Sequence, residues 1–215
     1  NFAPSAGITS SDCTSMSGLS ESIASTSSVS LRFSIRIDFD AGRTIELPVP
    51  GEGGAHYAVG GSSGGGKTEF LHSVLAQIAP LEHTAMVISD PAWMDYEPVW
   101  MPRASCVALG RVGASWLLDT LETELEWRLR YGRKLRVKRL VASAETPRIV
   151  AVFDEIAMVT LGGAKGATNR LVDMAQVGRK VGIGLVLATQ SPKSTVIPRL
   201  VLEQCPVRVA FRTEE

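Results

Sequence analysis

Hydrophobic and polar residues begin to alternate at residue 31. From Leu31 to Phe39, apolar side chains take every second position and polar ones stand between them. This period of two predicts a half-buried strand. Residues 40–43 then predict a turn and residues 44–47 a returning strand, which together form a β-hairpin. Residues 1–30 are rich in Ser and Thr and carry few large apolar groups, so we expect a disordered lead before one domain over 31–215.

Farther along the chain, short apolar runs alternate with segments of helical period. The runs predict strands at 56–59, 85–89, 149–153, 185–188 and 207–211. The intervening patterns predict helices at 68–79, 114–131, 169–181 and 195–204. Strands that alternate with helices in this way indicate an α/β fold, in which a mainly parallel sheet is flanked by helices on both faces.

A glycine-rich segment joins the strand at 56–59 to the helix at 68–79. It matches the phosphate-loop pattern G-x-x-x-x-G-K-[ST] at every fixed position with Gly61, Ser62, Ser63, Gly64, Gly65, Gly66, Lys67 and Thr68. Glycines let backbone N–H groups turn towards phosphate oxygens, and the helix presents its positive end to the same anion. Lys67 would reach the β- and γ-phosphates and Thr68 would bind Mg²⁺. The alternative is an ordinary flexible loop; the strand-to-helix position favours a site for ATP and Mg²⁺.

Two acids follow the apolar strand at 149–153. In P-loop enzymes an acid at such a strand end belongs to the Mg²⁺ shell, which suits Asp154. A neighbouring carboxylate can orient and polarise the attacking water, which suits Glu155 as the catalytic base. The alternative is that both acids cap the next helix, where negative charge is favourable in any case.

The strand at 185–188 also ends in polar side chains, Thr189 and Gln190. From a neighbouring strand end, both can sense the γ-phosphate, and we include Gln190 among the catalytic candidates. The alternative is an ordinary helix cap or turn.

Composition sets limits on the class of protein. Lys+Arg and Asp+Glu both number 22, so the net charge of zero does not favour a wholly basic nucleic-acid-coating protein. Three widely spaced cysteines favour thiols in a reducing cytoplasm. No apolar run approaches the roughly 20 residues needed to cross a bilayer, and no secretory signal is recognisable.

Basic residues are concentrated in one stretch. This basic run comprises Arg128, Arg130, Arg133, Lys134, Arg136, Lys138 and Arg139. Phosphate contacts need cations but no base recognition, which suits a protein that tracks DNA of any sequence. The alternative is a solvated, basic end of a helix.

Taken together, these motifs resemble the FtsK/SpoIIIE-type DNA translocases, in the additional-strand (RecA-like) branch of P-loop ATPases. The similarity runs from about Ile35 to Phe211 and is closest to the actinobacterial plasmid-transfer and chromosome-translocation type. Its carriers are the hairpin with Asp40 and Gly42, the phosphate loop, Ile88-Ser89-Asp90-Pro91, Glu126-Trp127-Arg128, Val152-Phe153-Asp154-Glu155, Gly182-Ile183-Gly184-Leu185-Val186-Leu187-Ala188-Thr189-Gln190-Ser191-Pro192 and Pro206–Phe211.

The resemblance implies an ATPase that moves double-stranded DNA as a hexameric ring. It places this ring in the cytoplasm at the inner face of the cell membrane, attached through parts outside this chain. It also favours an arginine supplied by the neighbouring subunit, for which Arg179 and Arg212 are candidates; ordinary surface salt bridges are the alternative. Two related functions stay open: a type VII-like protein secretion ATPase and a non-hydrolysing nucleotide-binding scaffold.

The chain departs from the family pattern at two places. Ala92 stands where the family usually has a lysine after Asp-Pro. The sequence also stops at Glu215, before the family's motor domain normally ends, so we expect the domain to be incomplete at its C-terminus.

Overall fold

The computed structural model describes the protein over residues 34–39, 43–51, 55–161, 166–191, 193 and 195–212. The predicted lead at 1–30 and the predicted turn residues 40–42 lie outside these stretches. The strands are Ser34–Phe39 (β1), Arg43–Pro48 (β2), Tyr57–Gly60 (β3), Thr84–Asp90 (β4), Cys106–Leu109 (β5), Arg148–Phe153 (β6), Ile183–Thr189 (β7) and Val207–Ala210 (β8). The α-helices are Lys67–Ile78 (α1), Glu97–Trp100 (α2), Gly110–Leu135 (α3), Ala157–Thr160 (α4), Ala167–Val177 (α5) and Arg199–Glu203 (α6).

Six strands form one sheet in the order β5-β4-β6-β7-β3-β8, and every neighbouring pair is parallel. The predicted α/β fold with a mainly parallel sheet is therefore confirmed. Strand β7 lies between β3, which leads into the phosphate loop, and β6, which ends in the two acids. Because the strands are parallel, the loop, the acids and the polar end of β7 all meet at the carboxyl edge of the sheet.

The sheet separates two apolar cores. Along β6, Ile149 and Phe153 belong to the core that also contains buried residues of α3 and α5, whereas Val150 and Val152 belong to the core with α1. Burial on both faces explains why the sequence of β6 is continuously apolar rather than alternating.

The histidine at position 56 links β3 to the core elements beside it. The His56 ring donates from Nε2 to the Ala175 carbonyl at 3.0 Å and accepts at Nδ1 from the Leu185 backbone N–H at 2.9 Å. The pKa of His56 is lowered to about 4, and burial is the largest cause of this shift. The ring is therefore neutral at physiological pH.

The predicted hairpin is present as a separate antiparallel pair of strands, β1 and β2. Ile35 of β1 is buried with the α1 core. The hairpin is also tied to α1 by a reciprocal pair of hydrogen bonds, because the Gln77 amide accepts from the Arg36 N–H at 2.8 Å and donates to its carbonyl at 2.9 Å.

The structure differs from the sequence predictions at several elements. Strand β5 was not predicted, because its four residues pass directly into α3 at Gly110 and no turn residues mark a boundary. Helix α3 exceeds the predicted 114–131 at both ends. The predicted helix at 169–181 is α5 followed by a 3-10 helix, Gly178–Val181. Among the described residues, no helix combines the length and the apolar character needed to cross a membrane.

Candidate nucleotide-binding site

Close contact between the phosphate loop and the residues that follow β8 requires glycine at position 61. A Cβ on Gly61 would lie 2.6 Å from the Phe211 Cβ, which is closer than any real contact. The Ser62 N–H and hydroxyl both donate to the Arg212 carbonyl, at 3.0 and 2.8 Å. Gly66 precedes α1 with a φ of 99°, in the left-handed region that favours glycine. The loop therefore has a defined shape fixed by β8.

Lys67 contacts the backbone of the phosphate loop. Its side chain is buried, and Nζ donates to the carbonyls of Gly61 at 2.6 Å and Ser62 at 3.0 Å. Thr68 follows in the first turn of α1 and lines the same cleft. The ammonium is thus held at the mouth of the loop, beside the amino end of a helix, where an anion is favoured.

A cleft of about 460 Å³ opens at this edge of the sheet. It brings together the predicted residues Ser63, Gly64, Gly66, Lys67, Thr68, Asp154, Glu155 and Gln190. It is also lined by residues that were not among the predicted site residues, namely Glu69, Pro91, Ala92, Asp95 and Met158. Its volume falls in the range typical of small-molecule sites.

Asp154 stands at the end of β6 as a buried acid in this cleft. Tyr96 donates its hydroxyl to Asp154 Oδ2 at 2.9 Å. Burial raises the pKa of the Asp154 carboxyl, while the Tyr96 hydrogen bond and the charge of Lys67 oppose this shift. A carboxylate that has lost hydration in this way is stabilised by a nearby cation.

The residues at this edge fit a magnesium ion bound together with a nucleotide. In the part of the chain that the structure describes, no three His, Cys, Asp or Glu side chains are grouped to hold a metal by themselves. Mg²⁺ at nucleotide sites typically takes one or two protein oxygens, with phosphates and waters completing its shell. Asp154 and the Thr68 hydroxyl, which line one cleft, provide that small donor set.

Glu155 is held in an uncommon conformation by the end of β7. Its φ is 68°, in the left-handed region that non-glycine residues rarely adopt. Oε1 accepts from the Thr189 hydroxyl at 2.8 Å and Oε2 from the Gln190 N–H at 2.9 Å. Conformations of this kind persist only where surrounding contacts fix them, and they cluster at functional sites. The intervening strand β7 therefore fixes the carboxylate of Glu155 at the cleft.

The two polar residues at the end of β7 are placed differently. Thr189 is fully buried and serves Glu155. Gln190 is exposed and lines the cleft. Contact between Gln190 and a γ-phosphate stays a prediction.

Among the curated proteins that are similar in sequence to this chain are several DNA translocases. The DNA translocase FtsK of Mycobacterium tuberculosis is 27% identical to this chain over 82% of its length, and the match covers 23% of that protein. FtsK of Corynebacterium glutamicum is 28% identical over 74% of the chain and 20% of its own length. The chain is similar in sequence to the FtsK DNA translocases. It spans about a quarter or less of the curated proteins it matches, and no model of a known protein family matches it.

Solved structures show that FtsK-like ATPases share the fold. The pCW3 conjugation coupling protein TcpA, solved as a monomer with ATPγS, superposes with a TM-score of 0.70 at 19% identity, over 84% of this chain and 55% of TcpA. The cytoplasmic domain of the type VII secretion ATPase EccC from Thermomonospora curvata gives 0.67 at 18% identity, over 86% of this chain and 24% of its own.

The two candidate arginines of this chain lie in different places. Arg212 follows β8, and its carbonyl contacts the phosphate loop as described above. Arg179 lies on the 3-10 helix before β7, at the amino edge of the sheet opposite the cleft, and donates to the Gln204 side chain at 2.9 Å. Arg179 can therefore act on a nucleotide only across a subunit boundary, which stays a prediction.

The basic run is not uniformly exposed. Arg128 is fully buried, pairs with Glu124 at 2.6 Å and donates to the Val181 carbonyl at 2.9 Å. Its inclusion among DNA contacts was wrong, because this guanidinium is part of the packing of α3. The other six members are exposed. We call three of them, at the carboxyl end of α3, the basic tip: Arg133, Lys134 and Arg136.

Proposed function

We propose that this chain is the ATP-hydrolysing part of a motor that translocates double-stranded DNA. The observation that carries the proposal is the position of Glu155, fixed by the end of β7 in a cleft shared with the phosphate loop. Relatives named DNA translocase FtsK supply the substrate class.

ATP is bound by its phosphates. Backbone N–H groups of the loop and the amino end of α1 face the anion, and Lys67 exchanges its two carbonyl contacts for the β- and γ-phosphate oxygens. Thr68 and Asp154 would hold Mg²⁺, which when bound would neutralise the charge that develops on the phosphates. The buried Asp154 carboxylate favours this arrangement because a cation offsets its lost hydration.

Hydrolysis is assigned to Glu155 and Gln190. Glu155 accepts hydrogen bonds at both carboxylate oxygens from β7, so its carboxylate is oriented before a water enters. It then orients and polarises that water. Gln190, which is exposed in the same cleft, contacts the γ-phosphate. Loss of this phosphate on hydrolysis therefore changes the contacts at the end of β7.

The cleft is short of positive charge for this chemistry. Among the described residues that line it, four carboxylates accompany a single ammonium, that of Lys67. Phosphoryl transfer leaves charge on the γ-phosphate, and ring ATPases commonly add an arginine from a neighbouring subunit. We propose a hexameric ring in which Arg179 or Arg212 takes this role, held at the inner face of the membrane through parts outside this chain.

A protein secretion ATPase is the second candidate function. It is favoured by the fold similarity to EccC and to EssC of Geobacillus thermodenitrificans, which superposes with a TM-score of 0.67 at 15% identity over 90% of this chain. Both structures are under 20% identical to this chain, whereas the FtsK proteins are 27–28% identical. Sequence similarity therefore favours DNA as the substrate. A third candidate is a scaffold that binds nucleotide without hydrolysing it.

One experiment separates the three candidates. ATP turnover is measured in Mg²⁺ with and without linear double-stranded DNA, with Glu155→Gln as the control. A DNA motor gives turnover that rises with DNA and is lost in the variant. Turnover indifferent to DNA would reject the DNA motor and favour the secretion ATPase. No Mg²⁺-dependent turnover under either condition would reject both motors.

A further inference from the structure

Tyr96 lies beside the proposed metal site although no sequence motif marks it. It follows β4 on the segment that leads into α2, and its side chain is fully buried. Its hydroxyl donates to Asp154 Oδ2 at 2.9 Å, across 58 positions of the chain. Since no other hydrogen bond to this carboxylate comes from the described residues, Tyr96 alone sets its orientation from the protein side.

The backbone around Tyr96 is held by a second acid, Asp90. Its carboxylate accepts four backbone N–H groups, with Oδ1 taking Ala92 at 3.2 Å and Trp93 at 3.0 Å. Oδ2 takes Tyr96 itself at 3.0 Å and Glu97 at 3.2 Å. Asp90 is fully buried, so its carboxylate is shielded from water. The segment therefore cannot shift without breaking several charge-assisted hydrogen bonds.

The Tyr96 ring is held on its face as well. The His72 ring of α1 stacks on it with centroids 5.0 Å apart. His72 is fixed in turn because its Nδ1 accepts from the Trp100 indole at 2.7 Å. Since α1 also carries Lys67 and Thr68, this stack couples the tyrosine to the helix that begins at the phosphate loop.

We propose that Tyr96 is a positioning residue for the magnesium site. By anchoring Oδ2, it fixes the rotation of the Asp154 carboxylate and leaves Oδ1 for the cation's shell. A partner that orients a metal-binding carboxylate typically contributes about 10–100-fold in metal affinity. This inference rests on the proposed nucleotide site and adds to it a residue outside the phosphate loop and the strand-end acids.

The test is Tyr96→Phe, which removes only the hydroxyl. Mn²⁺ is used as the probe, and its affinity for the protein saturated with a non-hydrolysable ATP analogue is measured by electron paramagnetic resonance. We expect Mn²⁺ binding to weaken about 10–100-fold, whereas affinity for the analogue in EDTA changes less than about twofold. In turnover, the Mg²⁺ concentration for half-maximal rate rises by a similar factor, and kcat recovers at saturating Mg²⁺.

The matched control is Tyr57→Phe. Tyr57 is also fully buried and belongs to the same core, but its hydroxyl donates to the Pro48 carbonyl at 2.7 Å. This variant should lose a comparable hydrogen bond yet keep Mn²⁺ affinity. Equal weakening in both variants would show a general packing effect and overturn the proposal.

The outcomes separate this inference from the proposed function. If the unaltered protein binds no nucleotide in Mg²⁺, the proposed function fails. If it binds nucleotide and Mn²⁺ normally and Tyr96→Phe does the same, only the positioning role is overturned. Should Tyr96→Phe not fold, incorporation of 3-fluorotyrosine at position 96 keeps the ring and hydroxyl; a more acidic donor should alter Mn²⁺ affinity, and unchanged affinity would overturn the role.

Discussion

Replacing Glu155 with glutamine removes the proposed base while it keeps the shape of the side chain. A general base typically contributes about 10²–10⁴-fold to a rate, which corresponds to about 3–5 kcal/mol of transition-state stabilisation. Because the loop, Lys67 and the metal-site acid are untouched, ATP affinity should stay within a few-fold. The expected variant binds ATP and hydrolyses it very slowly.

The structure also sets the stability that this variant should lose. Glutamine keeps one carbonyl acceptor for the Thr189 hydroxyl, but its amide group would then face the Gln190 N–H, another donor. At most one hydrogen bond is therefore lost, at about 0.5–1.5 kcal/mol, because the rotated amide would instead donate to the Thr189 hydroxyl and accept from the Gln190 N–H. For a domain of this size, the midpoint of thermal unfolding shifts by about 2–4 °C per kcal/mol. The fold should survive, so lost activity cannot be attributed to unfolding.

Single-turnover hydrolysis and ATP calorimetry are the assays. Glu203→Gln is the control, because this exposed carboxylate pairs with Arg199 at 3.0 Å on α6, outside the residues that line the cleft. It should hydrolyse ATP at the parent rate. A Glu155→Gln rate within a few-fold of the parent would refute the role of Glu155 as the base.

Three further predictions concern other parts of the molecule. Alanine at all three positions of the basic tip should weaken DNA binding and flatten its dependence on salt, because fewer counterions are released; an unaltered salt slope would leave this tip as a solvated helix end. Arg179→Ala mixed with Lys67→Ala should partly recover the turnover that each lacks alone, whereas full turnover in Arg179→Ala by itself would exclude catalysis in trans by Arg179. The pKa of His56 lies below its ordinary value of 6.5, at about 4, so the unfolded chain binds a proton in this range that the folded chain does not. The free energy of unfolding should therefore fall by about 3 kcal/mol as the pH is lowered from 6.5 to 4. Denaturant titrations of His56→Gln that retain this pH dependence would contradict the assignment.

The sequence predicted what local motifs determine. The phosphate loop could be located because glycine, lysine and threonine are required at fixed spacings between a strand and a helix. The acids after β6 were found in the same way, since a continuously apolar run ends at Asp154. Parallel strands then bring these ends together without further information.

Features that depend on distant partners could not be predicted. Tyr96 stands in an unremarkable segment, and its role depends on Asp154, which is far along the chain. Arg128 has the same local context as its exposed neighbours, yet the Val181 carbonyl gives it a buried acceptor. The contact of Gly61 with Phe211 likewise joins residues that are far apart in the sequence. Each of these required the tertiary structure.

The proposed motor moves along DNA, and displacement of a third strand measures that movement. A long duplex carrying a third, triplex-forming strand is incubated with the protein and ATP, and release of that strand is followed over time. We expect release that requires ATP and Mg²⁺, and no release with Glu155→Gln. ATP turnover stimulated by the duplex without release of the third strand would contradict translocation.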